Sequence, residues 1–182
     1  MRTPHMILLL AAALLWATGH ARAATPEARA AWQQARDAAD ANYKNARAQC
    51  DALAGNPKDL CVAEAKAARV RAQEEARARY EDTLKAYTRA RMRIADANFD
   101  RDKARCDGFA GNDKDVCRAQ AKATLVAAQA DAKADRQAIE ARNQARDDKL
   151  EAAWRVAKER CDAFAGAAKD QCLAGAKTEF GK

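Results

Sequence analysis

The residues best suited to chemistry in this 182-residue chain are six cysteines. They come in three pairs of one spacing: Cys50 and Cys61, Cys106 and Cys117, Cys161 and Cys172. A cysteine serves as nucleophile, redox centre, metal ligand or half of a disulfide. Nucleophilic use needs a neighbouring base, and the histidines are His5 and His20 alone, both near the N-terminus. Serine is absent throughout. A Ser-His-Asp triad, a Cys-His pair and a histidine metal site are therefore excluded beyond residue 23. No C-x-x-C pair occurs, which removes a thioredoxin-type redox motif, a zinc ribbon and haem attachment. The carboxylate neighbours Glu74-Glu75 and Asp147-Asp148 do not form an acid/base pair on a helix, because adjacent helical side chains diverge by about 100°. The inventory predicts no catalytic residue, no metal and no cofactor, and leaves disulfides as the role of the cysteines.

The cysteines sit in a repeat. Cys50-DALAGNPKDL-Cys61-VAEAK, Cys106-DGFAGNDKDV-Cys117-RAQAK and Cys161-DAFAGAAKDQ-Cys172-LAGAK align without gaps. The shared pattern is C-D-x-[LF]-A-G-x-x-K-D-x-C-x-x-x-A-K. An aromatic stands seven residues before the first cysteine in every copy: Tyr43, Phe99 and Trp154. Three residues after it stands Leu53, Phe109 or Phe164. Offsets of −7, 0 and +3 share one stripe of a helix, so these six residues are expected to pack along a seam. Asp102 interrupts that stripe in the second copy.

Each copy reads as helix, tight turn, helix. Gly55, Gly111 and Gly166 suit the left-handed position that ends a helix. Asn56 and Asn112 are expected to cap the next helix, Pro57 to take its first position, and Asp59 and Asp115 its third. The recurring Lys-Asp dipeptides read as capping and dipole compensation, or as a repeated contact surface. The two cysteines of a copy then face each other across the tip. Six cysteines allow 15 connectivities, and the repeat selects Cys50–Cys61, Cys106–Cys117 and Cys161–Cys172. Each such closure contributes roughly 3 kcal/mol in the chain-entropy model.

The elements that must hold these tips are helices. Between residue 24 and the C-terminus, Val, Ile, Leu and Met are scarce, while Ala, Arg, Lys, Glu and Gln abound. These are the strongest helix formers, and so few large apolar groups suit narrow seams between rods. No Pro or Gly interrupts 58–107 or 112–165, so each stretch is expected to be one helix about 75 Å long. The expected fold is all-α: elongated antiparallel helical hairpins, coiled-coil-like, with three stapled tips at 50–61, 106–117 and 161–172. A zigzag of long helices places tips one and three at one end and tip two at the other. The apolar seam thins at 83–91 and 131–147, where a kink or frayed segment fits.

The N-terminus reads as an export signal. Arg2 supplies a positive start, Met6 to Ala17 an apolar run, and Ala21-Arg22-Ala23 a peptidase site, giving a signal peptide over 1–23 and one helical repeat domain over 24–182. Export supplies the oxidising compartment that the disulfides need. Cleavage removes Arg2 and Arg22, taking the formal charge from +7 to +5, with both signs interspersed.

The C-D-x-[LF]-A-G-N-x-K-D-x-C block, over 43–66, 99–122 and 154–177, resembles small alanine-rich exported proteobacterial proteins often labelled cell-envelope, TolA-like. The resemblance implies a periplasmic location and no enzymatic activity. The expected function is that of a non-catalytic periplasmic or secreted structural or interaction protein. Its partner is expected to be an envelope component: a protein, an anionic lipid or a polysaccharide. The alternatives are a periplasmic holdase chaperone and a binder of anionic polymers. Nucleic acid is disfavoured because phosphate tracking needs a basic stripe.

Overall fold

Alanine and cystine, not large apolar side chains, fill the interior of this molecule. A computed structural model describes residues 25–182, so the expected signal peptide lies outside the described residues. The described chain is all-α: α1 (Pro26–Gln49), a 3-10 turn (Cys50–Ala52), α2 (Gly55–Glu81), α3 (Leu84–Cys106), α4 (Gly111–Cys161) and α5 (Gly166–Phe180). No strand occurs among the described residues.

Each helix packs on its neighbours in sequence. The buried set is almost entirely alanine, with Leu125 and the first cysteine of each tip. Cys50, Cys106 and Cys161 are the largest fully buried side chains, at 0, 0 and 1 % exposure. Alanine at the contacts lets helix axes approach closely. It also removes little apolar surface per residue, at about 25 cal/mol per Å².

Helix ends follow local chemistry. Thr25 caps α1 by accepting a hydrogen bond from the Ala28 amide, with Pro26 in the first turn. α1 ends at Gln49, six residues before Gly55, because its last turn tightens into the 3-10 segment.

Residues 58–107 do not form one helix. The chain reverses at Asp82-Thr83, so α2 and α3 form a hairpin. Asp82 adopts the left-handed conformation (φ 43°), and Thr83 Oγ1 accepts from the Ala86 amide. The thin seam at 83–91 therefore marks a complete turn rather than a kink. The other long stretch is one helix, as expected, and the thin seam at 131–147 does not interrupt it: α4 runs unbroken for 51 residues, or ~76 Å. In the register of the repeat, Asp82-Thr83 correspond to Ala138-Ile139. Ala138 stands where Asp82 is left-handed, and Ile139 stands where Thr83 caps α3 but has no side-chain oxygen to accept a capping bond.

This asymmetry relocates the tips. Tips one and two lie together at one end: the Asn56 side-chain amide donates to the Ala104 carbonyl at 2.7 Å. Tip three lies far down α4, where α5 folds back on its last turns. The expected zigzag, with tips one and three together, is thus corrected by the reversal at Asp82. Between the stretch of α4 covered by α3 and the stretch covered by α5, residues 139–150 are exposed on all sides.

Candidate functional site: the stapled tips

The three tips are built alike. Cys50–Cys61, Cys106–Cys117 and Cys161–Cys172 are disulfides, with Cα separations of 5.7, 5.5 and 5.6 Å. These distances lie within the span a disulfide bridges without moving backbone. No free cysteine remains among the described residues.

The glycines work at positive φ as expected: 60° at Gly55, 53° at Gly111 and 55° at Gly166. They open the second helix, however, instead of following the first. The residue before each, Ala54, Ala110 or Ala165, is extended and takes the N-cap position without a side-chain cap. Asn56 and Asn112 are accordingly not caps. Pro57 sits in the third helical position rather than the first, where its missing N–H still costs nothing. Asp59 and Asp115 fall in the fifth position, beyond the first turn.

A cross-turn ion pair recurs at all three tips, where no side chain caps the second helix. The aspartate after the first cysteine pairs with the lysine of the Lys-Asp dipeptide in every copy. Asp51–Lys58 and Asp107–Lys114 are 3.0 Å apart, and Asp162–Lys169 is 2.7 Å. Arg47 adds a second contact to Asp51 at 2.6 Å, and Arg118 one to Asp107 at 2.7 Å. These cations hold the three carboxyls below the usual carboxylate range: Arg47 and Lys58 at Asp51, Lys114 and Arg118 at Asp107, Lys169 at Asp162. Asp162 in turn raises Lys169. The identical C-D and K-D positions in all three copies were the sequence signal for this pairing.

The six seam residues divide. Tyr43, Phe99 and Trp154 are half-buried at helix contacts. Arg69 stacks over Tyr43 at 5.2 Å, Lys103 and Lys122 flank Phe99 at 5.5 and 5.6 Å, and Lys158 covers Trp154 at 5.8 Å. Phe180 closes on Trp154 from α5 at 6.1 Å. Leu53, Phe109 and Phe164 are not in the seam. They stand 43, 50 and 52 % exposed on the outside of the tips. The first helix has ended by then, and the chain at Leu53 is extended, so the helical offset no longer governs where the side chain goes.

A second repeated contact escaped the sequence reading. An acid ten residues before the first cysteine crosses each hairpin. Asp40 accepts from the Gln73 amide and Asp96 from the Gln129 amide, both at 2.8 Å, and Glu151 meets Lys182 at 2.7 Å. Asp102, the break in the stripe, is held by Arg101 and Arg105. Beside tip one, α1, α2 and α3 enclose an open groove of roughly 800 Å³, with Val62 and Val70 among its walls and Lys66 and Asp100 among its charges.

No family model, curated protein or solved structure matches the chain.

Proposed function

We propose that the protein is a non-catalytic structural or interaction protein of the cell envelope, exported to the periplasm or beyond, whose stapled tips are its contact surfaces. One observation carries the reading. Each tip holds a large apolar side chain, Leu53, Phe109 or Phe164, in solvent at the same place. Each is locked there by a disulfide and an ion pair. A partner that covers these side chains removes apolar surface from water, and pre-organisation of the tip lowers the entropy cost of that contact. Three disulfides are compatible with an extracellular or periplasmic protein, and no described helix is long and apolar enough to cross a membrane.

A holdase needs a broad apolar surface, whereas the exposed apolar residues here are scattered one at a time over the tips and rods. A binder of anionic polymers needs unpaired cations, whereas Arg and Lys at the tips are engaged by aspartates.

Site-specific photo-crosslinking in intact cells tests the proposal. A photoreactive residue at Phe109 or Phe164 should yield a discrete adduct after irradiation. The same residue at Asp37, exposed in the middle of α1, should yield none. Equal labelling from all three positions, or none from the tips, would defeat the idea.

A further inference from the structure

α4 carries two faces whose counterparts elsewhere in the chain pack on each other. Counted from the second cysteine of each tip, Ala65, Ala67, Ala76 and Ala78 of α2 correspond to Ala121, Ala123, Ala132 and Ala134 of α4. Ala65 and Ala76 are buried on the side of α2 that meets α1, and Ala121 and Ala132 are buried in the same way against α3. Ala67 and Ala78 lie on the opposite side, buried against α3. Their counterparts Ala123 and Ala134 are exposed. Counted back from the first cysteine, Ala86 and Ala90 of α3, at 1 and 4 % exposure, correspond to Ala141 and Ala145, also exposed.

In the α2–α3 hairpin these two faces close on each other because the chain reverses between them. In α4 there is no reversal. Both faces ride on one straight rod and cannot meet within the chain.

We propose that they meet between chains: the protein is a two-fold homodimer in which two α4 helices lie antiparallel and cross near Ala138. The face around Ala134 of each copy then packs on the partner's face around Ala141 and Ala145, as α2 packs on α3. The two-fold makes this contact twice and closes the assembly. α3 and α5 both occupy the other side of α4, through Ala121, Leu125, Ala132 and Cys161, so the described residues leave this face open. Charge does not oppose the pairing. Glu81–Arg89 and Glu74–Arg93 bridge α2 and α3. Their counterparts are Gln137 with Gln144 and Ala130 with Asp148, which set no like charges together.

Sedimentation equilibrium of the oxidised protein tests the dimer, with circular dichroism as the check on folding. The unaltered protein should sediment as two copies. Ala134→Glu combined with Ala141→Glu puts four carboxylates at the crossing and should weaken the dimer roughly 100-fold or more, the cost of uncompensated buried charge. Both positions are exposed in the single chain, so its helix content should not change. Ala134→Lys combined with Ala141→Glu sets opposite charges across the two-fold and should restore two copies. Three results would each overturn the inference. One is a single copy at every concentration up to about 100 µM, where a dimer of even modest affinity forms. Another is a dimer that persists in the double glutamate variant. The third is no rescue by the opposite-charge pair.

Discussion

At the scale of single residues, the tips depend on groups that the sequence displays but does not interpret. The aspartates Asp51, Asp107 and Asp162 are constant, yet only coordinates reveal that each reaches across the turn to a lysine. Their folded pKa values lie below the ordinary 3.8. A carboxyl with a depressed folded pKa contributes stability that is fully present above the unfolded value. That contribution is lost as pH falls through the folded value. The tips should therefore hold down to about pH 4 and loosen only in stronger acid. Carboxyl titration by NMR should place the Asp162 midpoint below 3.8, and Lys169→Ala should move it back up, since Lys169 is the first cause of the shift. An unmoved midpoint would remove the ion pair from the description.

Gly108 tests the junction of tips one and two. A Cβ added there would stand 2.6 Å from Asn56 Oδ1. Gly108→Ala should push Asn56 off the Ala104 carbonyl and cost about 1 kcal/mol, the worth of one hydrogen bond, in urea denaturation. The third copy carries Ala163 at this position, on a tip with no neighbour.

At the scale of elements, helix content and disulfide pairing were legible from the repeat, because alanine-rich composition and constant cysteine spacing are local signals. What the sequence hid was the difference between two long stretches of similar composition. Their outcomes turn on two residues, Asp82-Thr83 against Ala138-Ile139. A left-handed aspartate followed by a capping threonine is a weak signature without a glycine or proline beside it. The exposure of Leu53, Phe109 and Phe164 was hidden for a related reason. Helical offsets apply only while the helix lasts, and α1 stops short of Leu53. Thr83→Ala removes the α3 cap and should cost about 1 kcal/mol of stability. Equilibrium unfolding in urea measures it, and a neutral result would contradict the capping role.

At the scale of the whole molecule, stability rests on staples more than on a core. Buried alanines contribute little each, and the described helices touch only their neighbours in sequence. Three closures at roughly 3 kcal/mol apiece approach 9 kcal/mol. A domain's entire net stability is about 5–15 kcal/mol. The α2–α3 reversal has no disulfide and relies on Glu81, whose carboxylate Arg89 and Arg77 hold at 2.7 Å.

Thermal unfolding followed by far-ultraviolet circular dichroism, with and without a thiol reductant, addresses this dependence most directly. The oxidised protein should be strongly helical and melt cooperatively. The reduced protein should lose most of its helical signal by 37 °C. A reduced chain that keeps its helix content and its melting temperature would contradict the account.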